Sequence, residues 1–91
     1  MANIDLQHAH SLPHAEARQA VEEAIARLGQ KLGIEHRWEG DTLHFTRPGV
    51  DGRIALTPGH VHVTAALGML FSAMKGKVES ELKRMLEERL P

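Results

Sequence analysis

Histidine is the residue type in this 91-residue chain with the most scope for chemistry, because seven are present and two pairs have the spacing of metal ligands. His8 and His10, and likewise His60 and His62, are two residues apart, which places two imidazoles on one face of a β-strand. The first pair lies at the same alternate positions as the apolar residues of its strand. The second pair lies at the positions between valines that are predicted to face the core. The pairs are therefore predicted to point to opposite faces of a sheet, as solvated or edge histidines. No metal or cofactor is predicted.

A second set of candidates could line an apolar pocket. His36 and Arg47 fall in phase with the apolar face near strand ends, where they could orient a carbonyl or carboxylate group beside aromatic and methionine side chains. The alternative is that these residues belong to the core and its rim, with their polar ends in solvent. The predicted ligand-binding residues are Trp38, Phe45, Phe71, Met74, His36 and Arg47.

Motifs of known enzyme classes are absent from the sequence. There is no nucleophile elbow, no phosphate-binding glycine loop and no pair of carboxylates placed as acid and base. Asp41 and Asp51 each neighbour a glycine, so turns explain them. We therefore expect a protein that is not an enzyme.

Two lysines offer a nucleic-acid alternative. Lys75 and Lys77 stand near the start of the last predicted helix, in a pattern that loosely resembles double-stranded-RNA-binding domains. The net charge of −1 and the acidic residues that follow disfavour this interpretation.

The segment from Ile34 to Leu67 predicts two β-hairpins, closed by Gly40-Asp41 and Pro58-Gly59. Both registers place the apolar residues on one face, and a slip of one residue would expose them all. The predicted cross-strand pairs are Trp38 with Leu43, His36 with Phe45, Leu56 with Val61, Ile54 with Val63, Gly52 with Ala65 and Val50 with Leu67.

The flanking segments complete the fold. A strand is predicted over residues 3–9, then a helix capped by Ser11, with Pro13 in its first turn and Gly33 at its end. A second helix begins near residues 70–72. The order βαββββα predicts an α+β fold, an antiparallel sheet of order 1-5-4-3-2 with both helices on one face. The first helix carries a predicted solvated face of Arg18, Glu22, Glu23, Arg27 and Lys31.

Composition limits the setting of the protein. The length predicts a single domain over residues 1–91, and the lack of cysteine excludes disulfides and thiolate metal sites. We expect no signal peptide, because the first residues lack a basic segment and a long apolar segment, and no apolar stretch in the sequence is long enough for a membrane span. We expect a cytoplasmic protein. Homodimerisation is left open, either through the edge strand that precedes the Gly40-Asp41 turn or through the open sheet face.

Several motifs together resemble the polyhydroxyalkanoic acid system protein family. The resemblance spans nearly the whole chain, and its most discriminating part is Trp38 to Phe45. It is carried by His10-Ser11-Leu12, Trp38-Glu39-Gly40-Asp41-Thr42-Leu43-His44-Phe45, Gly49-Val50-Asp51-Gly52, Leu67-Gly68 and Lys75-Gly76.

The resemblance implies a bacterial protein of storage-polyester metabolism with no catalytic residues to carry over. It implies a role at or around the polyhydroxyalkanoate granule, in its formation or regulation. We expect the protein to act by binding the granule surface, a granule protein or an acyl group. The architecture is also similar to a reduced helix-grip fold, a type that often holds apolar ligands. The alternative is thus an apolar-ligand-binding domain unrelated to granules.

Overall fold

The computed structural model describes residues 2–90, which form a five-stranded sheet with its helices on one face. The predicted α+β class and the predicted topology are confirmed. The elements are β1 (Ala2–Ala9), α1 (His14–Leu32), β2 (Glu35–Glu39), β3 (Thr42–Arg47), β4 (Val50–Thr57), β5 (His60–Leu67), α2 (Met69–Ser72) and α3 (Lys75–Arg89).

The sheet is antiparallel throughout and has the order β1-β5-β4-β3-β2. All of the hairpin pairs predicted from the sequence are confirmed by the register. One row across the sheet joins Trp38, Leu43, Ile54, Val63 and Leu6. Since residues in register share a face, Trp38 and Val63 lie on the same side. The apolar face is therefore a single surface that extends over all five strands.

Glycines at the hairpin turns explain why the register is so well defined. Gly40 and Gly59 have φ angles of 59° and 74°, a region that glycine enters without steric cost. A third turn at Pro48-Gly49 joins β3 to β4, and Gly49 has a φ of 88°. Each tight turn fixes the pairing of the two strands that it connects.

The core lies between the apolar sheet face and the two long helices. Its members come from every strand except β2, and from the inner faces of α1 and α3. Phe45 is 2% exposed, and its ring lies against the Cα of Gly52 on the neighbouring strand. A Cβ on residue 52 would come within 2.3 Å of the Phe45 ring, so this glycine makes room for the aromatic side chain.

The start of α1 differs from the prediction. Pro13, not Ser11, is the N-cap residue, and its carbonyl oxygen accepts the first helical hydrogen bond from Ala17. A cap at Ser11 would have required a helical conformation at Leu12, which the following proline disfavours. The predicted stop at Gly33 is confirmed, with a left-handed φ of 69°.

The second predicted helix is present but begins with a break. The short α2 ends at Ser72, and α3 starts anew after Met74, whose backbone (φ −103°, ψ 10°) departs from helical geometry. Met74 is therefore a junction residue that lies outside the regular helix. Within residues 2–90, no helix is long and apolar enough to cross a membrane.

Candidate functional site

The six predicted ligand-binding residues lie in three different places. Trp38 and His36 lie on β2 beneath α1, while Arg47, Phe71 and Met74 gather near the C-terminal end of α1. Phe45 is buried in the core. The structure thus brings the six together only in part, and their role in ligand binding stays a prediction.

Glu22 of α1 is the centre of the first group, the Glu22 cluster (Arg18, Glu22, His36 and Trp38). The His36 imidazole donates to Glu22 Oε1 at 3.0 Å, and the Trp38 indole N–H donates to Glu22 Oε2 at 2.5 Å. The His36 hydrogen bond, followed by that of Trp38, holds the pKa of the Glu22 carboxyl below its usual value. The guanidinium of Arg18 lies over the indole ring, 4.0 Å from its centroid.

The Glu22 cluster continues into the turn between β2 and β3. Arg18 Nη1 donates to the carbonyl oxygen of Gly40 at 2.7 Å, and His14 Nε2 donates to Asp41 Oδ1 at 2.9 Å. The His14 hydrogen bond lowers the pKa of the exposed Asp41 carboxyl. Because these polar groups are satisfied by one another, the cluster fastens α1 to the hairpin and offers a ligand few free donors.

The second group joins Arg47 and Phe71 at the C-terminal end of α1. The Arg47 guanidinium lies 4.9 Å from the centroid of the Phe71 ring and donates to the carbonyl oxygen of Leu32. A cation at this position also interacts favourably with the helix dipole. Leu32 in turn lines a groove together with Met74, so this group adjoins the groove.

This groove, the α1–α3 groove, lies on the helix layer and has a volume of about 260 Å³. Its floor is aliphatic and its charged lining is mostly basic. Met74, a large apolar side chain, is 41% exposed there. The apolar lining residues are Leu28, Leu32, Met74 and Val78. The charged lining residues are Lys31, Lys77 and Glu81.

The void found between the helices and the sheet is small. The void beside Val21, Ile54 and Leu82 measures about 10 Å³, which is at most the room that one water molecule needs. An acyl chain held inside the fold, as in the helix-grip analogy, would require the core to open. Binding at the surface requires no such change.

The open face of the sheet is polar, as its sequence pattern predicts. Grooves of about 560 and 500 Å³ run along it and share His44, Arg53 and Thr64. His44 lies 3.3 Å from the Glu39 carboxylate, and His62 donates to Asp5 at 2.7 Å. This face therefore has mixed charge with many of its polar groups already paired.

The two histidine pairs point to opposite faces, as predicted. His8 lies on the helix side, where its Nε2 donates to the carbonyl oxygen of Leu90 at 2.6 Å, while His62 lies on the open face. His10 Nδ1 accepts from the backbone N–H of Leu12 at 3.1 Å, and burial, aided by neighbouring histidines, lowers the pKa of His10. In the part of the chain from residue 2 to 90, no three metal-ligating side chains cluster.

The lysines of the RNA-binding alternative lie in the first turn of α3, where both are exposed. Lys77 also lines the α1–α3 groove. Binding to duplex RNA stays a prediction that the fold alone does not test.

Sequence reasoning missed the role of Glu22 and of the aliphatic groove residues. Glu22 and Arg18 were predicted to lie on a solvated face, yet both are half-buried against β2. Leu28 and Leu32 continue the apolar stripe of α1 but are only partly buried where they pack against the core. The signal that could have found them is the length of that stripe, which runs to the end of the helix.

Comparison with known proteins identifies one family over most of the chain. Residues 4–90 match the family described as "Putative polyhydroxyalkanoic acid system protein". No solved structure matches.

Curated proteins match a shorter segment. The peptidoglycan endopeptidase RipB from two strains of Mycobacterium tuberculosis, CDC 1551 / Oshkosh and ATCC 25618 / H37Rv, is 44% identical over 43 residues. That segment is 47% of this chain but only 18% of the length of RipB. The family match, in contrast, extends from β1 to the end of α3. On that basis, this chain belongs to the polyhydroxyalkanoic acid system protein family.

Proposed function

We propose that this protein is a non-enzymatic member of the polyhydroxyalkanoate system that binds acyl segments of the storage polyester at the granule surface, through the α1–α3 groove. The apolar groove with its two lysines is the observation that carries the proposal. The polyester presents aliphatic segments interrupted by oxygen acceptors. An aliphatic floor with ammonium donors beside it has the complementary chemistry.

The filled interior supports a surface site over an internal one. The void between the sheet and the helices beside Val21 measures about 10 Å³, whereas the groove offers about 260 Å³. The groove is also already open, so binding there has no cost of unpacking the core.

A non-enzymatic role is supported by the position of the groups with lowered pKa values. Glu22 and Asp41 are held by hydrogen bonds that fasten α1 to the β2–β3 hairpin, and His10 lies near the turn at Gly59. None of the three lines the groove. The groups with shifted pKa values therefore make contacts within the fold, apart from the proposed binding groove.

The experiment is an NMR titration that observes the methionine methyl groups. One arm uses free 3-hydroxyoctanoate, and the other uses a short ester-linked oligomer of the same unit. We expect the Met74 methyl to shift with the oligomer, while Met69, which is 88% exposed and lies outside the groove lining, stays unchanged. Equal shifts at both methionines, or none at either, would contradict a groove site.

The two arms separate the polymer from a soluble ligand. A response to the free acid alone, lost when Lys31 and Lys77 are replaced by Gln, would indicate a protein that binds a small acyl ligand and not the granule. Fractionation of polyester-accumulating cells provides an independent check. We expect the chain to sediment with granules.

A further inference from the structure

The outer edge of the sheet at β1 has backbone groups that no described element pairs. The His10 N–H donates to the Gly59 carbonyl at 3.0 Å, which fixes the phase of the β1–β5 ladder. In an antiparallel ladder, hydrogen-bonded pairs alternate with pairs whose N–H and C=O groups point away. Four residues therefore direct their backbone groups outward from the sheet. They are Asn3, Asp5, Gln7 and Ala9.

The other sheet edge is protected in a way that β1 is not. Three of the five residues of β2 are charged and exposed, namely Glu35, Arg37 and Glu39, which is a common device against edge pairing. β1 is eight residues long and carries one charged residue, Asp5, whose carboxylate accepts a hydrogen bond from His62. A long edge with so little charge is a template for a further strand.

We propose that β1 pairs antiparallel with β1 of a second copy of this chain, around a two-fold axis at Leu6. This register alone among the symmetric ones pairs all four outward residues with each other, Asn3 with Ala9 and Asp5 with Gln7. Each pairing occurs twice across the two-fold axis. The register therefore forms roughly eight backbone hydrogen bonds, two for each of the four hydrogen-bonded pairs. The two sheets become one continuous ten-stranded sheet, since each contributes five.

Charge and packing favour the same register. A shift that places Asp5 opposite its own copy would juxtapose like charges, which destabilises a cross-strand pair. In the register centred on Leu6, the two Leu6 side chains face each other on the helix side of the sheet. Leu6 is only partly buried in one copy, where it packs against the core, so the dimer would complete its burial. This inference is independent of the proposed polyester binding, because no residue of β1 lines the α1–α3 groove.

A cysteine-crosslinking experiment tests the register directly, because the natural chain contains no cysteine. Leu6 would occupy a non-hydrogen-bonded position in the new ladder, where opposing Cα atoms are about 4.5 Å apart, within the range that a disulfide spans. We expect Leu6→Cys to form a crosslinked dimer under mild oxidation. Gln7→Cys, on the same strand but opposite Asp5, is the matched control and should stay largely uncrosslinked. Preferential crosslinking of Gln7→Cys, or none at Leu6→Cys, would overturn the proposal.

A second measurement uses the unmodified chain. Analytical ultracentrifugation should give about twice the chain mass of 10.1 kDa. Gln7→Pro removes an N–H that points outward, so it leaves the β1–β5 ladder intact while it blocks pairing with a further strand. We expect this variant to sediment as a folded monomer. A natural chain that is monomeric at every concentration, or a folded Gln7→Pro variant that remains dimeric, would contradict the inference.

Discussion

The indole N–H of Trp38 donates a hydrogen bond to the carboxylate of Glu22 at 2.5 Å, across the contact between β2 and α1. The same carboxylate accepts from His36, so one helix residue holds two positions of an edge strand. β2 contributes no residue to the buried core. These polar contacts therefore hold β2 against α1, whereas apolar burial holds the inner strands against the helices.

We predict that Glu22→Gln destabilises the fold by about 1 kcal/mol near neutral pH. A hydrogen bond to a charged group contributes about 1.5–3 kcal/mol, and the partial exposure of this carboxylate reduces that figure. Chemical denaturation measures the change. Glu87→Gln is the control, because Glu87 is exposed and has no ion pair with any other residue between 2 and 90.

The effect of Glu22→Gln should depend on pH. The folded pKa of Glu22 lies below its ordinary value of 4.5, so its stabilisation is complete above pH 4.5 and is lost as the pH falls through the folded pKa. The difference in unfolding free energy between the natural chain and the variant should therefore shrink in acid. A difference that persists unchanged at pH 3 would show that the loss has another origin.

We predict opposite effects for two glycine-to-alanine substitutions. Gly52→Ala should destabilise by about 2–3 kcal/mol, because its Cβ would lie 2.3 Å from the Phe45 ring and 2.9 Å from the backbone oxygen of Thr64. Gly76→Ala, in α3, meets nothing within 4 Å and should stabilise by up to about 1 kcal/mol. Thermal unfolding of the two variants measures both. Equal melting temperatures would show that the Phe45–Gly52 contact is not tightly packed.

His10 is predicted to make the fold sensitive to mild acid. Burial lowers the pKa of His10 below 6.5, and His8, His14 and His60 add to this effect. The unfolded chain thus binds a proton more readily than the folded chain, so the stabilisation is complete above pH 6.5 and declines below it. Protonation also removes the Nδ1 acceptor of the Leu12 N–H, a hydrogen bond worth about 1 kcal/mol.

His10→Asn tests this prediction, since the amide oxygen can still accept from Leu12. We expect the stability of the variant to fall less between pH 7 and pH 5.5 than that of the natural chain. His44→Asn, on the open face of the sheet, is the comparison. If both variants follow the pH profile of the natural chain, the acid sensitivity arises at another group.

The sheet was predictable from the sequence because two local signals agreed. The alternation of apolar residues fixes which face is buried, and the turns at Gly40 and Gly59 fix the register. The start of α1 was not predictable in this way, because Pro13 disfavours a helical conformation at the residue before it, and this effect competes with the capping tendency of Ser11.

The candidate site was less predictable for a geometric reason. Strand periodicity assigns Trp38, Phe45 and Arg47 to one face but says nothing about which helix residues lie above each. Phe45 is buried in the core. Trp38 donates a hydrogen bond to Glu22, and Arg47 donates one to the carbonyl oxygen of Leu32. Met74 lines the groove at the break between α2 and α3, and the periodicity of the sequence does not predict such a break.

Co-sedimentation with polyhydroxyalkanoate particles tests whether the α1–α3 groove holds the polyester. The natural chain is compared with Met74→Gln and with Met69→Gln, a matched loss of exposed methionine outside the groove lining. Removal of about 50 Å² of apolar contact costs about 1.3 kcal/mol, so Met74→Gln should bind roughly tenfold more weakly. Met69→Gln should bind as the natural chain does. Equal binding by all three proteins, or no binding by the natural chain, would contradict the account.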